Sequence, residues 1–473
     1  MTRSGRAGAV ASSYARCVPR RPLRSALVLA LALGPTLACA GLIGADFDRT
    51  LAPPDAASEG GVADDGAAGD DAAPPADARS DGKADSGPKP PPVDCGDRSG
   101  LQAGSPWPTE GGCNTRPGRT GAPALVKPSI AWRYTLPGST AAFTSPPVVA
   151  ADGTVYALAF DPPDAASLGY SLVAITPAGK ERFRAPLPDG FGGAGAAPTL
   201  GADGTVYVAA LGSLSAYTPA GSRKWAQSLG GTANGSSPTV LGDGTIVVSG
   251  APKLEAFRPD GGSRWSYPND GYAFVGTAAV TTAGLVVVGE QPPLGQLDGA
   301  VHVVSPDGQR RAKIAVTGTP ITTPVLVDAQ RFAVATNLSR YEVLTVGGAV
   351  DTLKAGPGLS DPLAPVAFTA PLVWFAGARS RPVTLDVATG AVTGRDDVAG
   401  ITTAFAATAD GSIVVGTRGG GNPNQVRGLS ADGATQRWAV ELEPTGADPK
   451  GPALGADGTV YLPWGPTLYA VRD

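Results

Sequence analysis

The chain of 473 residues contains 66 Gly and 46 Pro but only one Met and one His, a composition rich in turn formers and poor in helix formers. With His302 as the single histidine, a His-rich metal site or a Ser-His-Asp nucleophile is not expected. The formal charge is −4, but six Arg and no acid stand in residues 1–38, residues 39–94 are acidic, and residues 95–473 are nearly neutral. Nucleic-acid binding is not expected, because there is no basic stripe.

Residues 1–38 have the pattern of a secretory signal. Six Arg precede a short apolar run at residues 26–33 and then Gly34-Pro35, and this run is too short to span a bilayer. Leu37-Ala38-Cys39 resembles the lipobox of bacterial lipoproteins, which implies lipidation at Cys39 and an outer-membrane anchor. Ordinary cleavage after Ala40, with Cys39 incidental, is the alternative.

Residues 39–94 are dominated by Ala, Asp, Gly and Pro, with almost no large apolar side chains. Such a segment cannot offset the entropy of ordering, so we predict a disordered acidic linker. We expect it to hold a folded domain away from a membrane.

The next segment, residues 95–128, leads into the repeats and is called the lead-in segment below. It contains the two cysteines that remain once Cys17 is lost with the signal and Cys39 is assigned to lipid. An even pair in an exported chain predicts a disulfide between Cys95 and Cys113. A two-Cys metal site is the weaker alternative, because no further ligands stand nearby.

From residue 129 to 473 the chain repeats a unit of about 40 to 50 residues, and the repeat predicts the fold. Each unit has a short strand, an Asp-Gly turn and an alternating apolar strand, which together indicate a hairpin. A third strand, a second tight turn and a fourth strand follow. The turn residues predicted to be structural are Asp152, Gly153, Asp203, Gly204, Asp243, Gly244, Asp410, Gly411, Asp457 and Gly458.

Eight first turns but only seven second turns can be counted, and the missing fourth strand is found at the start of the domain. Trp132 stands in a segment that matches the Trp-bearing fourth strands. We therefore predict an all-β, eight-bladed propeller of four-stranded antiparallel blades, its last blade closed by an N-terminal strand. The recurrent fourth-strand aromatic residues are predicted to pack between blades: Trp132, Phe183, Trp225, Trp265 and Trp438.

The repeats resemble the pyrroloquinoline-quinone-like β-propeller repeat, with its A-D-G-T-V-Y turn and G-x-x-x-W ending. Gly221 to Trp225 and Gly261 to Trp265 keep that last spacing, and Ser105-Pro106-Trp107-Pro108 resembles the segment that precedes such propellers. The resemblance implies the fold over residues 105–473. It implies little about function, because the superfamily includes quinoprotein dehydrogenases and non-catalytic scaffold lipoproteins.

The resemblance to the dehydrogenases does not extend to the residues that carry their chemistry. Those enzymes share a Ca²⁺ site with Glu, Asn and Asp ligands and a vicinal Cys pair. Here there is no vicinal pair, and Glu290, Asp328 and Asn337 are scattered without a motif. We therefore expect no enzymatic activity, with no catalytic, cofactor-binding or metal residues. Pyrroloquinoline quinone and Ca²⁺ are expected only under the alternative of a quinone-dependent dehydrogenase of alcohols or sugars.

Strand alternation predicts that both recurrent turns lie on one face of the disc and that the irregular loops lie on the other. Three longer loops, near residues 160–170, 290–299 and 417–426, fall on that irregular face, which is therefore the better candidate for binding. Drift in surface loops is the alternative. We expect a monomeric, membrane-tethered scaffold in the bacterial cell envelope that binds protein partners or a ligand, with a surface adhesin or carbohydrate binder as a further alternative.

Overall fold

The computed structural model describes residues 95–473 except 163–168, 189–194, 211, 231–235, 251, 339, 348–349, 356–366, 376–381, 396–400 and 420–421. The predicted signal, Cys39 and the acidic linker lie outside these residues. All regular elements in the described part of the chain are strands. No helix among the described residues is long and apolar enough to cross a membrane.

The first strand, β1 (Ser129–Thr135), is followed by four blades in chain order. Blade 1 contains β2 (Ala142–Phe143), β3 (Val148–Val149), β4 (Val155–Phe160), β5 (Tyr170–Ile175) and β6 (Glu181–Pro186). Blade 2 contains β7 (Thr199–Leu200), β8 (Val206–Ala210), β9 (Ser213–Tyr217) and β10 (Arg223–Ser228). Blade 3 contains β11 (Thr239–Val240), β12 (Ile246–Ser249), β13 (Lys253–Phe257) and β14 (Ser263–Pro268). Blade 4 contains β15 (Ala273–Val280), β16 (Val286–Gln291), β17 (Gly299–Val304) and β18 (Arg310–Val316).

Four further blades complete the ring. Blade 5 contains β19 (Val325–Leu326), β20 (Arg331–Ala335), β21 (Arg340–Thr345) and β22 (Val350–Ala355). Blade 6 contains β23 (Ala367–Thr369), β24 (Leu372–Phe375), β25 (Val383–Asp386) and β26 (Val392–Gly394). Blade 7 contains β27 (Ile401–Ala407), β28 (Ile413–Gly419), β29 (Asn422–Leu429) and β30 (Gln436–Glu441). Blade 8 contains β31 (Ala453–Leu454), β32 (Val460–Trp464) and β33 (Thr467–Arg472), with β1 as its outer strand.

Every blade is an antiparallel sheet in which sequence order runs from the inner to the outer strand, except where the two chain ends meet. In blade 8, β1 pairs with β33 from Ser129 opposite Arg472 to Thr135 opposite Thr467. The predicted eight-bladed propeller, closed by an N-terminal strand, is therefore confirmed. Closure of this kind leaves no unpaired strand edge at the seam between the chain ends.

Antiparallel order fixes what each side of the disc carries. The first and second turns of the blades lie on one side, which we call the turn face. The loops between second and third strands, and the connections between blades, lie on the other, which we call the loop face. The turns close as hairpins because glycine supplies the left-handed backbone they need, as at Gly204 with φ of +79°.

The hydrophobic core lies between blades and not within one layer. Separate clusters of buried side chains fill the spaces between successive blades, and the largest joins blades 7, 8 and 1 across the closing seam. Its members include Val155 from blade 1, Val414 from blade 7 and Leu462 from blade 8. Blade contacts are therefore made with nearest neighbours, as in other repeat folds.

Candidate functional site

The Asp-Gly turns predicted from the sequence lie together on the turn face and have one shared geometry. The Asp carboxylate accepts the backbone N–H two residues later, as from Thr205 to Asp203 at 2.9 Å. The same bond forms at Asp152, Asp243, Asp410 and Asp457. It satisfies a turn N–H locally, which is the reason Asp favours this position.

In four blades the turn Asp also pairs with a cation from the outer strand. The pairs are Asp152–Arg182, Asp203–Lys224, Asp243–Arg264 and Asp410–Arg437, with N–O distances of 2.6–3.2 Å. At Asp410 burial alone raises the carboxyl pKa, but hydrogen bonds from Thr408 and Ser412 and the pairing with Arg437 outweigh it and lower the pKa to about 2. These carboxylates serve the turns, because each of them is already engaged.

Four of the five predicted packing aromatics lie over the second-turn glycine of the next blade. Trp225 of blade 2 covers Gly261 of blade 3, and its Nε1 donates to the carbonyl of Pro259 at 2.9 Å. Trp132 over Gly179, Phe183 over Gly221 and Trp265 over Gly308 repeat the contact. A Cβ at any of these glycines would lie 2.6–2.9 Å from the ring, so only glycine leaves space for it.

Trp438 lies differently. Blade 8 has no second turn, because its third and fourth strands come from opposite ends of the chain. Trp438 therefore folds over Gly428 of its own blade, where a Cβ would meet the indole at 2.2 Å. In blade 6, the buried Trp374 on the second strand packs against the second-turn glycine Gly433 of blade 7, in place of a fourth-strand aromatic. Sequence reasoning missed Trp374 because it stands outside the G-x-x-x-W spacing.

The lead-in segment is built into the propeller around its axis. Equivalent inner-strand N–H groups of six blades donate to its carbonyls over 2.7–3.1 Å. The pairs are Val149 to Trp107, Leu200 to Pro108, Val280 to Asn114, Leu326 to Thr115, Phe368 to Pro117 and Ala407 to Gly118. The predicted disulfide between Cys95 and Cys113 is present, with an S–S distance of 2.09 Å. The segment thus covers the axis at the turn face.

Three charged side chains of the lead-in segment are buried, and the contacts of Arg116 and Glu110 show how they join it to the blades. Arg116 is 2% exposed and donates to Thr109, Thr239 and backbone carbonyls, and burial lowers its pKa to about 10. The Oε2 atom of Glu110 accepts hydrogen bonds from Ser237 and Thr277 at 2.7 and 2.6 Å. Because this carboxylate accepts hydrogen bonds from hydroxyls of blades 3 and 4, it joins the lead-in segment to both blades.

The loop face carries a group of exposed apolar side chains on blades 4 and 5, which we call the apolar surface. Its members are Tyr272, Leu294, Leu297 and Leu338, exposed by 54%, 86%, 73% and 46%. They stand on neighbouring segments, since Tyr272 N–H donates to Gln291 and Gly318 packs against Leu338. Exposed apolar patches are typical of interaction sites, so the apolar surface is a candidate binding site.

Leu294 is displayed by a defined turn. Gln296 N–H donates to the carbonyl of Pro293 at 3.0 Å, and Gly295 has φ of +88°. A Cβ added at Gly295 would meet no other atom within 4 Å. The loop predicted at residues 290–299 therefore contains a hydrogen-bonded turn in which Leu294 is exposed to solvent.

A buried polar cluster lies beneath the apolar surface. Glu290 Oε1 accepts from the backbone N–H groups of Asp270 and Gly271, both at 2.7 Å, and Oε2 contacts Lys313 at 2.8 Å. His302 is fully buried: its Nδ1 bonds to the Tyr267 hydroxyl at 2.7 Å, and its Nε2 lies 3.0 Å from Glu290 Oε2. The geometry of that second contact is not that of a hydrogen bond.

The contacts within this cluster lower the pKa of the Glu290 carboxyl group. Burial alone raises the Glu290 pKa, but His302, Lys313 and the Asp270 N–H outweigh burial and lower the pKa to about 2. The carboxylate is therefore ionised at neutral pH. Glu290 begins the Leu294 loop and also binds the connection that carries Tyr272, so it positions both parts of the apolar surface.

The residues considered as calcium ligands are not brought together. Glu290 is buried in blade 4, Asp328 pairs with Arg331 at the blade 5 turn, and Asn337 accepts the Thr319 N–H on the loop face. The described residues contain no group of three or more His, Cys, Asp or Glu side chains placed to hold a metal ion. Glu290, Asp328 and Asn337 therefore do not form one ligand set.

The model of a family described as outer membrane protein assembly factor BamB matches residues 169–352, less than half of the chain. No curated protein sequence matches. The match and the fold confirm the resemblance read from the repeats: residues 169–352 match this family model, and the described residues have the fold of a pyrroloquinoline-quinone-like β-propeller.

Several solved structures share the fold. A quinohemoprotein alcohol dehydrogenase from Comamonas testosteroni is 16% identical, with a TM-score of 0.59, and the likeness covers 80% of this chain and 82% of that one. A europium-containing methanol dehydrogenase is 11% identical, with a TM-score of 0.58 and coverage of 78% and 98%. A quinohemoprotein alcohol dehydrogenase from Pseudomonas putida HK5 is 12% identical, with a TM-score of 0.56 and coverage of 82% and 83%.

These structures overturn two expectations from the sequence. We expected no enzymatic activity and no cofactor, and these structures contradict both expectations, because dehydrogenases named for quinohemoprotein or europium chemistry share this fold. The missing Cys pair and the scattered acids did not justify those expectations, since a fold does not fix which residues carry its chemistry. At these identities the likeness extends to the fold alone.

Proposed function

We propose that this protein is an exported, membrane-tethered propeller that binds a polypeptide partner in the bacterial cell envelope through the apolar surface on its loop face. The observation that carries the proposal is the convergence of Tyr272, Leu294, Leu297 and Leu338 on one side of blades 4 and 5. Apolar side chains at the centre of an interface supply most of its binding free energy.

The charges around this surface favour an uncharged, apolar partner segment. Asp298 Oδ1 accepts the Gly318 N–H at 2.9 Å, and Asp270 pairs with Arg310 and Lys313 at 3.0 and 3.2 Å. The nearby carboxylates are therefore engaged within the protein. A segment with aliphatic side chains suits such a surface better than a strongly charged one.

The test is capture of partners from a detergent extract of the envelope, using the full-length protein. Leu294→Glu with Leu297→Glu should remove the captured polypeptide, because two charges would have to be desolvated at the interface. Val126→Glu is the matched control, since Val126 is 71% exposed but lies in the lead-in segment. If both variants capture the same polypeptides as the unchanged protein, the proposal is wrong. Binding to a glycan array that the double variant also loses would favour the adhesin alternative.

Anchoring is a separate part of the proposal and rests on the Leu37-Ala38-Cys39 motif. Cys39→Ser should release the protein from the membrane fraction and remove the mass of the lipid chains, because such chains supply membrane affinity. A Cys39→Ser protein that stays in the membrane fraction with unchanged mass would exclude lipidation at this residue.

Quinone-dependent oxidation of an alcohol is the second candidate, favoured by the three dehydrogenases that share the fold. The test adds pyrroloquinoline quinone, with Ca²⁺ or a lanthanide ion, to the purified protein. A bound-quinone spectrum, a rise in melting temperature and alcohol-dependent reduction of a dye would support it. A protein that gives none of these signals is not such a dehydrogenase.

A further inference from the structure

We propose that the Cys95–Cys113 disulfide is a redox-dependent lock on the lead-in segment, so that the covered axis is completed only in an oxidising compartment. The observation is the position of the two cysteines. They join the beginning of the segment, on the turn faces of blades 2 to 4, to the part that crosses the axis.

The two joined parts meet at blade 3 and otherwise contact different blades. Residues 95–104 contact blades 1 to 3: the Ala151 N–H donates to Gln102 at 3.0 Å, and the Ser99 hydroxyl donates to blade 3 at 2.8 Å. Residues 113–118 receive N–H groups from blades 4 to 7, and Asn114 Nδ2 donates to the Val240 carbonyl of blade 3 at 2.6 Å. The disulfide therefore ties the contacts with blades 1 and 2 to the contacts with blades 4 to 7.

The two sulfur atoms differ in access. Cys113 is fully buried, whereas Cys95 is half-buried and lines a pocket of about 180 Å³ together with Asp97, Asp243 and Pro306. A small thiol can therefore approach the Cys95 sulfur from that pocket. Attack there breaks the S–S bond, forms a mixed disulfide with Cys95 and releases the Cys113 thiolate, which takes up a proton.

The lock closes by the reverse chemistry. The Cys95 and Cys113 thiols lose two electrons and two protons to the disulfide of an exported thiol oxidant, which leaves as a dithiol, and the S–S bond forms. Cytosolic thiol buffers hold such a pair reduced, while the envelope allows it to oxidise. The lock is thus open before export and closed after it.

The test compares hydrogen exchange of the full-length protein, oxidised and after treatment with a phosphine reductant. Peptides that contain Ala202 and Val280, whose N–H groups donate to the lead-in segment, should lose protection on the order of 100-fold, the size expected for a loop of about 18 residues. Peptides from the middle of blades, such as those with Val173 or Val301, should not change. Re-oxidation should restore the protection of the peptides that contain Ala202 and Val280.

Cys95→Ser with Cys113→Ser should reproduce the reduced pattern with or without reductant. If this variant does not fold, the comparison of reduced and re-oxidised protein still decides. Unchanged protection after reduction would show that the disulfide locks nothing. An equal loss of protection in all peptides would show that the disulfide stabilises the whole propeller and not the lead-in segment alone. That result too would overturn the proposal.

Discussion

Glycine meets two separate needs at the second turns: a left-handed backbone and room for the aromatic ring of the preceding blade. Gly261 has both, with φ of +91° and a Cβ position 2.9 Å from the Trp225 ring. Gly295 has φ of +88° with open space around it, and Gly347 has neither constraint. These three glycines allow backbone strain to be separated from crowding.

Alanine substitution should rank these sites by the number of constraints. We expect Gly347→Ala to change the free energy of unfolding by less than about 0.5 kcal/mol. Gly295→Ala should cost about 1 kcal/mol for its backbone, and Gly261→Ala about 2–4 kcal/mol, because overpacking against Trp225 adds to that strain. Denaturant unfolding measures all three, and equal losses at Gly261 and Gly295 would contradict the crowding argument.

Glu290 should make stability depend on pH in the acid range. Its pKa in the folded protein is about 2, below its ordinary value of 4.5, so its contribution is complete above about pH 4.5 and is lost as the pH falls towards 2. The difference between these two pKa values corresponds to a contribution of about 3 kcal/mol to the free energy of unfolding. Glu290→Gln should flatten the pH dependence of unfolding in this window. Glu441→Gln, at an exposed position of β30, is the control and should keep the slope.

At the scale of strands, the closing strand β1 differs from other outer strands in the residue before its aromatic side chain. The residue before the aromatic is a cation in the pairs Arg182–Asp152, Lys224–Asp203 and Arg264–Asp243. In β1 the corresponding residue is Ala131, so Asp457 receives the Thr459 N–H but no cation from its outer strand. The closing strand therefore lacks one ion pair that the outer strands of blades 1 to 3 make within their own blade.

Ala131→Arg should supply the missing pair with Asp457. Ala131 is exposed, so we expect a gain of only about 0.2–1 kcal/mol, which high salt should reduce. Ala131→Glu should lower stability by a similar amount, because it places a like charge near Asp457. The measurement is thermal unfolding at low and high salt, and the same response to Arg and Glu would exclude an electrostatic cause.

At the scale of the whole molecule, the ring could be predicted from sequence because its rules are local. Asp203-Gly204 makes a turn by itself, and Trp132 identifies the closing strand by its match to other fourth strands. The path of the lead-in segment could not be predicted, since its contacts with the inner strands of six blades use backbone carbonyls, such as those of Asn114 and Thr115, that carry no side-chain pattern. Nor does composition reveal that Leu294 is held outward and Glu290 inward by the same loop.

Closure of the ring should depend more on Trp132 than on its counterpart Trp265. Both rings cover a second-turn glycine, and both Nε1 atoms donate to a proline carbonyl at 2.9 Å. The outer strand of blade 3 is joined to its neighbour by a tight turn, whereas Thr135 in β1 and its partner Thr467 are 332 residues apart. Bringing such distant segments together in the unfolded chain costs about 4 kcal/mol more than closing a short hairpin.

Trp132→Ala and Trp265→Ala should therefore remove the same contact with different consequences. Each should cost about 2 kcal/mol of packing, since the rings are half-buried. Only Trp132→Ala should also release β1 and raise hydrogen exchange along β33, because no turn keeps that strand in place. In Trp265→Ala the exchange of β13 should stay slow. Equal exchange at β13 and β33 in the two variants would mean that strand pairing alone closes the ring, without the contact to blade 1.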